Sequence, residues 1–430
     1  MSNATSSLFG MPGFVVVDGP HETGDGRSVV IMTEPVEHAC TGCGLLQLGR
    51  VHDHRLSRLK DLPFGEGRHQ VWWRKRRFRC VGCARVFTEC SEQVGWRRRL
   101  TARLRRKLEV SVSGSVRSCA DVAREYGVSD WSVEASLRER ERVLADAAER
   151  GGLPVPVTRL GLDETRARSV RWFRDQDQAW QRTDPWMTSF VDLDCTQPRW
   201  LLGLAAGRSG AVVVAWVESL PQAWRDQVKI VALDPSAPFA SAIRRVLPDA
   251  VIVVDHFHLV RLANQALTEV RQRVAREQHG RRGRKVDLAW AHRTLLLRAG
   301  DTLSPRALAK LVTVLETDDP TNEIGAAWGI KELLRQLLHA PADRTVIRDR
   351  LWRFYDAAAT ADMPETTRFA GTIETWWPEI EAFLMTKITN ARTEGGNRII
   401  KQIKRVACGF RNQASYQRRI LLHAAARTAR

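Results

Sequence analysis

The sequence predicts a multidomain α/β protein, in which a mixed β-sheet core follows a cysteine-rich metal module and a pair of short helices. Three observations support this prediction. Between residues 158 and 262, apolar runs of strand length alternate with segments of helix length. Two C-x-x-C pairs occur in the first hundred residues, and a helix–glycine–helix pattern follows them. A chain of 430 residues is long enough for several domains, each with its own core.

The charge of the chain indicates a polyanionic partner. The 67 Lys+Arg exceed the 49 Asp+Glu and leave a net charge of +18, which favours nucleic acid first and a membrane surface second. No apolar run is long enough to span a bilayer, so we expect no membrane partner. The start of the chain, "MSNATSSLFGMPGFVVVDGPHETGDG", lacks the basic start of a signal peptide, and residues 1–36 are interpreted as a flexible arm.

The four paired cysteines predict a zinc finger over residues 37–95. Cys40 and Cys43 form one C-x-x-C pair, and Cys80 and Cys83 form the other. Each pair spans one edge of a tetrahedron, so that two pairs close a four-thiolate zinc site. A redox site of the thioredoxin type would need one pair and a βαβ context, which is missing here. Without an export signal, bound metal is favoured over disulfides.

Basic runs bracket this module and predict that it contacts DNA phosphates. One run, "WRKRRFR", contains Arg74, Lys75 and Arg76, and the second is "WRRRLTARLRRK". A solvated charged surface would explain one such cluster, whereas two clusters flanking a metal module favour a DNA-binding face.

The next segment, residues 96–150, is predicted to form a helix-turn-helix domain. Ser118 and Asp121 have the spacing of a capping box, and Gly127 supplies the tight turn between two helices. Asp130–Arg138 is then the candidate recognition face, with Arg138 as a DNA contact. A plain helical hairpin is the alternative interpretation.

The core segment places acids after apolar strands. The strand-like runs "LGL", "IVAL" and "VIVV" end on Asp163, Asp234 and Asp255. "PWMTSFVDLDCTQPRWLLGLAAGRSG" predicts two antiparallel strands, "AVVVAWVESL" favours a helix, and residues 261 to about 385 are predicted to be nearly all helical. Groups at neighbouring ends of parallel strands converge, so we expect Asp163 and Asp234 to meet.

A third acid, Glu394, stands alone in the basic stretch "TNARTEGGNRIIKQIKR". It is either a helix-start charge that offsets the helix dipole or a metal ligand beside the other two acids. Three converging carboxylates repel one another unless a cation lies between them, and oxygen-only ligands favour Mg²⁺ or Mn²⁺. Such ions support phosphodiester displacement. The basic residues of the same helix are candidate phosphate contacts: Arg398, Lys401, Lys404 and Arg405.

The order of these motifs resembles the ISL3 family of bacterial insertion-sequence transposases. The resemblance runs from about His38 to Asn412 and includes "GLDET", "ALDPSAPF", "VVDHFH" and, most specifically, "TNARTEGGNRIIKQIKRVACGFRN". It implies an RNase H-like catalytic core with a DDE triad, interrupted by a helical insertion before the glutamate. Carried over, the triad is Asp163, Asp234 and Glu394. Asp255 remains the alternative second ligand, with His256 and His258 beside the metal ligands or facing DNA.

The resemblance also implies an organisation and a function. The core would comprise residues 151–262 and 386–430, the latter as closing helix and tail, and the helical insertion would comprise residues 263–385. The expected activity is binding of terminal inverted repeats, followed by Mg²⁺-dependent cleavage and transfer of DNA strands. Double-stranded DNA at the transposon ends and target, and a second copy on the paired ends, are the expected partners, in the bacterial cytoplasm at the nucleoid. The alternative is a catalytically inert or domesticated zinc-finger and helix-turn-helix regulator.

Overall fold

The computed structural model divides the chain into two compact units, Met1–Gly151 with Gln402–Arg430, and Gly152–Lys401. The residues described are 4–24, 26–47, 50–63, 69–150, 156–194, 200–410 and 412–428. The strands are β1 (Phe14–Thr23), β2 (Gly26–Thr33), β3 (His38–Ala39), β4 (Leu46–Gln47), β5 (Arg50–Leu59), β6 (His69–Arg79), β7 (Val86–Thr88), β8 (Arg159–Arg166), β9 (Trp172–Arg174), β10 (Trp180–Arg182), β11 (Trp186–Asp192), β12 (Leu201–Ala206), β13 (Ile230–Leu233) and β14 (Val251–Val254).

The helices, in chain order, are α1 (Ala4–Phe9), α2 (Ala102–Ser113), α3 (Cys119–Tyr126), α4 (Asp130–Arg150), α5 (Gly210–Glu218), α6 (Gln222–Arg225), α7 (Ala237–Val246), α8 (His256–His279), α9 (Leu288–Ala291), α10 (Arg293–Leu297), α11 (Pro305–Asp318), α12 (Glu323–Leu338), α13 (Arg344–Ala361), α14 (Pro364–Thr375), α15 (Trp377–Thr386), α16 (Ala391–Val406) and α17 (Gln413–Thr428). The predicted helical stretch after residue 261 is confirmed. No helix in the described ranges is both long and apolar enough to cross a membrane.

The N-terminal residues form part of a sheet, so the expectation of a flexible arm over residues 1–36 is wrong for β1 and β2. The sheet has the order β1-β2-β6-β5, and β7 pairs with β6. Phe14, Val16 and Ile31 are buried against Trp73 of β6. The arm folds because alternate apolar residues of β1 and β2 face one side of the sheet, where they are removed from water.

Helices α2, α3, α4 and α17 share one apolar core. Ser118 caps α3 by accepting a hydrogen bond from the Asp121 amide at 3.0 Å, as predicted. Gly127 ends α3 in the left-handed conformation, at φ 60°, where glycine carries no steric penalty. Leu422 of α17 is buried in the same cluster as Leu137 of α4.

The C-terminal helix α17 therefore lies in the first unit, although the sequence analysis grouped residues 386–430 as one closing segment of the core. Arg419 is nearly fully buried and donates hydrogen bonds to the Arg117 carbonyl and the Cys119 thiol. The His423 ring hydrogen-bonds the Ser113 carbonyl. These polar contacts satisfy the end of α2 and the start of α3.

The second unit is built on a mixed five-stranded sheet, which confirms the α/β fold class. Its order is β12-β11-β8-β13-β14. β13 runs parallel to β8 and β14, whereas β11 is antiparallel to β8 and β12. Helices α5 and α7, both predicted from the sequence, cover the sheet with Val213, Val217, Phe239 and Ile243. The turn predicted between β11 and β12 lies outside the described residues.

Strand β8 is longer than expected, so Asp163 lies within the strand and not at its end. The reason is the pairing with β11, which extends from Leu160 to Arg166, whereas the pairing with β13 stops at Gly161. The predicted ends of the other two strands are confirmed, because β13 ends just before Asp234 and β14 ends just before Asp255.

Two adjacent leucines in α17 test whether this helix stabilises the helical domain, which consists of α2, α3, α4 and α17. Leu422 is 3% exposed and Leu421 is 37% exposed. We expect Leu422→Ala to lower the free energy of unfolding of this unit by about 2–5 kcal/mol, because it leaves a cavity in the core. Leu421→Ala should cost less than about 1 kcal/mol. Urea unfolding measures both, and equal losses would contradict the placement of α17.

Candidate active site and metal centres

Three aspartates lie on one row across the parallel strands of the core sheet. The last β8–β13 pair is Gly161 with Ala232, and two further steps in this register bring Asp163 beside Asp234. The last β13–β14 pair is Leu233 with Val254, so the next step brings Asp234 beside Asp255. The expected convergence of Asp163 and Asp234 at one sheet edge therefore follows directly from the strand register.

Helix α16 is held against β8 by two buried asparagines. Asn390 is fully buried just before the helix, and its Nδ2 donates to the Leu162 carbonyl at 2.9 Å. Asn397 lies about two helical turns further along α16. Its Nδ2 donates to Asp163 Oδ2, and its Oδ1 accepts from Ser189 Oγ at 3.3 Å. Asn397 thereby fixes the Asp163 carboxylate.

Close packing at Gly161 sets how near α16 approaches the sheet. A Cβ at this position would clash with Thr393 and would lie 2.9 Å from Asn390 Oδ1. Glycine is therefore required here for the close approach of the helix, not for an unusual backbone angle. Thr393 is fully buried directly before Glu394, so this contact determines the position of the acid.

Glu394, in the first turn of α16, lies near Asp255 and Asp234. Burial raises the pKa of its carboxyl, and the adjacent Asp255 carboxylate raises it further, with a smaller contribution from Asp234. Both aspartates therefore lie close enough to Glu394 to act on its carboxyl group. The structure therefore brings Glu394 together with both candidates for the second ligand, and the choice between Asp234 and Asp255 stays a prediction.

The pKa of Asp163 is raised to about 7, because the carboxyl is buried and lies near the negative charge of Asp234. The hydrogen bonds from Asn397 and from the Glu164 amide act in the opposite direction but are smaller. Loss of solvation and a like-charged neighbour both favour the neutral, protonated form of a carboxyl group.

The His258 ring lies between Asp234 and Asp255. Its Nε2 lies 2.7 Å from Asp234 Oδ2, and its Nδ1 lies 3.7 Å from Asp255 Oδ2. Burial acts to lower the pKa of His258, but the hydrogen bonds to Asp234 and Asp255 outweigh it and raise the pKa to about 9. Asp255 also caps α8, accepting from the Phe257 amide at 3.2 Å.

The donor set of this cluster fits a hard divalent cation. Asp234 Oδ1 is buried and has no hydrogen-bond partner among the described residues. Carboxylate oxygens of Asp234 and Asp255 lie within 4.8 Å of each other and of a His258 ring nitrogen. Carboxylate oxygens are the ligands that Mg²⁺ and Mn²⁺ prefer, and a cation there would offset the Asp234 charge that, after burial, raises the pKa of Asp163.

Asn390 and Thr393, whose side chains position Glu394, were not among the predicted site residues. Their only sequence signal is helical spacing, because Asn390, Thr393, Asn397 and Ile400 form one buried stripe. Helical spacing from Glu394 places Asn397 near Arg398 and Lys401, two of the predicted phosphate contacts. In the structure, Asn397 is buried and the two cations are exposed.

The basic residues proposed for DNA contact have different environments. Arg398, Lys401, Arg405, Arg74 and Arg138 are exposed, and Lys404 is partly buried. The Lys75 ammonium lies 4.1 Å from the Trp73 ring centre.

Arg76 is involved in a structural contact. Its Nε donates to Glu89 Oε2 at 3.0 Å, and its Nη2 donates to the Thr33 carbonyl at 3.0 Å. Since the Glu89 side chain is fully buried, this pair ties β2, β6 and the segment after β7 together. The predicted phosphate contacts otherwise stay predictions.

The four predicted zinc cysteines form two knuckles of the same backbone geometry. In the first, the Cys40 amide donates to the Leu45 carbonyl and the Gly44 amide donates to the Cys40 carbonyl, both at 2.9 Å. In the second, Cys80 and Arg85 repeat the first bond at 2.9 Å, and Ala84 repeats the second at 3.0 Å. Gly44 and Ala84 both have positive φ, 73° and 57°.

The thiols fit a tetrahedral zinc site. Cys40 Sγ lies 3.6 Å from Cys83 Sγ, and Cys43 Sγ lies 3.6 Å from Cys80 Sγ. Zinc–thiolate bonds of about 2.3 Å place tetrahedral sulfurs about 3.8 Å apart. Backbone amides of Cys83 and Gly82 help to lower the pKa of Cys80 to about 6, which favours the thiolate that binds metal.

Replacing one knuckle cysteine should remove the zinc. We expect about one zinc ion per chain in the native protein and much less in Cys80→Ser, because three thiolates leave the tetrahedron open. Cys90→Ser is the matched control, since Cys90 is exposed and outside the cluster. Metal content by atomic emission is the measurement. Retention of zinc by Cys80→Ser would contradict the assignment.

Two adjacent glycines of α16 test how tightly this helix packs. A Cβ on Gly396 would clash with the Trp200 ring, whereas a Cβ on Gly395 meets no atom within 4 Å. We expect Gly396→Ala to destabilise the second unit by about 1–3 kcal/mol. Gly395→Ala should be neutral or stabilise it by up to about 1 kcal/mol, since alanine favours the helix. Urea unfolding of both variants is the test, and similar values would contradict the close approach of α16.

Comparisons with known proteins place the chain in a family. Residues 176–420, more than half of the chain, match the ISL3 family of DDE type, which is described as "Transposase". The transposase for insertion sequence element IS1001 of Bordetella parapertussis is 26% identical over 412 residues, covering 95% of this chain and 94% of that protein. The transposase for IS1557 of Mycobacterium tuberculosis is 24% identical over 291 residues, covering 63% of this chain and 61% of that protein.

Among solved structures, a chain of the Drosophila P element transposase strand transfer complex covers 62% of this chain and 76% of its own length. Its TM-score is 0.35 at 11% identity, a similarity too low to argue from. The family match extends from the β9–β10 segment to α17, and therefore includes Asp234, Asp255 and Glu394. The chain belongs to the ISL3 family of insertion-sequence transposases.

Proposed function

We propose that the protein binds the terminal inverted repeats of an insertion sequence and cuts and joins DNA strands with a DDE triad on an RNase H-like core. The observation that carries the proposal is the row of Asp163 and Asp234 across parallel strands, with Glu394 facing it from α16. The strand order β12-β11-β8-β13-β14, with a helical segment before α16, supports the RNase H-like assignment.

Asp163, Asp234 and Glu394 are the proposed ligands of Mg²⁺ or Mn²⁺. When bound, such ions activate a water or 3′-hydroxyl nucleophile and stabilise the leaving oxygen. The protein contributes the geometry: Asn397 fixes the Asp163 carboxylate, and Asn390 anchors the start of α16. Because the side chains are fixed before DNA binds, little reorganisation is required during the reaction.

Asp234 is preferred to Asp255 as the second ligand. The Asp234 side chain is 19% exposed and lies next to Asp163, whereas the Asp255 side chain is fully buried and already caps α8. We therefore assign Asp255 and His258 a positioning role, in which they orient Asp234 and Glu394. The His258 proton between two aspartates offsets part of their repulsion before the cation binds.

DNA binding is assigned to the zinc finger, to α3 and α4 as a helix-turn-helix, and to the cations of α16. Arg138 of α4 and Arg398 of α16 are exposed, and the net charge of +18 favours a phosphate backbone. Cutting two transposon ends together requires at least two copies, so a homodimer or higher assembly on double-stranded DNA in the bacterial nucleoid is part of the proposal.

Strand cleavage tests the triad. Asp163→Asn and Glu394→Gln should lower Mg²⁺-dependent cleavage of labelled DNA carrying the element's ends by at least about 100-fold, since each removes a charged ligand. Binding of the same DNA should change little. Asp249→Asn is the matched control, because Asp249 is exposed and precedes β14 at the opposite edge of the sheet.

Asp234→Asn and Asp255→Asn, assayed together, distinguish the two candidates for the second ligand. The proposal requires the larger loss for Asp234→Asn. Binding without cleavage by the native protein would instead favour the inert regulator.

A further inference from the structure

The β9–β10 hairpin carries an exposed face of alternating tryptophans and arginines. Trp172 pairs across the strands with Arg182, and Arg174 pairs with Trp180. Directly opposed residues and residues two apart share one face of a hairpin, so these four side chains lie on the same side. The Arg174 guanidinium lies 5.1 Å from the centre of the Trp180 ring.

The aromatic rings of this hairpin are exposed to solvent. Trp172 and Trp180 are each 62% exposed, and Phe173 on the other face is 48% exposed. Every residue of both strands is exposed. Isolated large aromatic residues are common on surfaces, but two exposed tryptophans on one face of so short a hairpin, with Phe173 exposed on the other face, are typical of an interaction site.

The charge of the hairpin selects a polyanion. Arg171, Arg174 and Arg182 are exposed around the rings. The Asp175 carboxylate closes the turn, accepting from the Asp177 amide at 3.0 Å, the Ala179 amide at 2.9 Å and Gln181 Nε2 at 2.8 Å. The four side chains of the tryptophan face therefore carry only positive charge, whereas Asp175 and the exposed Asp177 lie in the turn.

The hairpin extends β8 and β11, and β8 carries Asp163, the first of the proposed metal ligands. The Ala167 amide donates to the Pro185 carbonyl at 2.7 Å, and the Thr183 amide donates to the Arg171 carbonyl at 2.8 Å. The ribbon of β8 and β11 thus continues into β9 and β10. β8 is parallel to β13, so the hairpin leaves at the edge where Asp234 lies, and Asp163 is about 10 Å from the end of β8.

We infer that this face binds unpaired bases of the DNA strand next to the bond that is cut, with Trp172 and Trp180 stacking on bases and Arg174 and Arg182 contacting phosphates. Stacking on aromatic rings combined with nearby arginine is a general mode of single-strand binding. The inference rests on the proposed function, because it places the hairpin on the same DNA that the triad cleaves. A second copy of the chain is the competing occupant.

Binding of a fluorescein-labelled oligothymidine and of a blunt duplex of equal length tests the inference on the full chain. The Trp172→Ala/Trp180→Ala double variant should bind the oligothymidine at least about tenfold more weakly and the duplex nearly as well as the native protein. The double phenylalanine variant should retain most of the affinity, because it keeps aromatic rings. Trp352→Ala is the matched control, since Trp352 is 67% exposed on α13 and should bind like the native protein.

Two further readouts separate stacking from charge and from folding. The alanine variant should keep the native slope of log affinity against log salt, whereas Arg174→Gln/Arg182→Gln should reduce it by about 0.7 for each phosphate that the arginines no longer neutralise. Irradiation of a 5-iodouracil oligonucleotide should cross-link it to Trp172 or Trp180. The thermal unfolding midpoint should be unchanged in all variants.

Native oligothymidine binding by the double alanine variant would overturn the inference. So would a change in oligomeric state without a change in oligothymidine binding, which would assign the face to a second copy. These outcomes do not depend on cleavage. Loss of cleavage in the triad variants together with unaltered oligothymidine binding by the double alanine variant would leave the proposed function intact and reject only the role of the hairpin.

Discussion

Repulsion between carboxylates at one edge of the core sheet is the constraint on which the site depends. The strand register brings Asp163, Asp234 and Asp255 onto one row, and α16 adds Glu394. Such crowding is unfavourable, and burial together with the nearby Asp234 charge raises the pKa of Asp163. The surrounding contacts hold the acids together in spite of it: His258 lies between two of them, and Asn397 fixes a third. A functional site commonly keeps unfavourable groups that the rest of the fold stabilises.

Helix α16 begins in the unit that contains these acids and continues into the first unit. Its first turns pack on β8 through Asn390 and Thr393. The residues from Gln402 onward belong to the first unit, and α17 then packs into the core of α2, α3 and α4. The helix that carries the third acid is therefore covalently continuous with the segment that completes the helical domain.

Local sequence rules predicted the parts of this structure that depend on local interactions. The cap at Ser118, the turn at Gly127 and the two cysteine knuckles each require only a few neighbouring residues. The acids after β13 and β14 were also predictable, because each follows a short apolar run.

Features that depend on distant partners were not predictable. The length of β8 is set by β11, so Asp163 lies inside a strand. Strand β2 is stabilised by pairing with β6, and Arg76 donates a hydrogen bond to the carbonyl of Thr33, which lies 43 residues earlier in the chain. A buried asparagine such as Asn390 gives almost no signal, because asparagine before a helix is usually an ordinary cap.

The environment of Glu394 helps to distinguish its two interpretations. An acid in the first turn of a helix gains about 0.3–1 kcal/mol from the helix dipole, which would lower its pKa by less than about one unit. The pKa of Glu394 is instead raised, first by burial and then by Asp255. A residue selected only to offset the dipole would be expected to face solvent, where this cost does not arise. An acid that is placed against two aspartates, in a helix otherwise free of negative charge over Ala391–Val406, fits the proposal of a cation held by Glu394, Asp163 and Asp234.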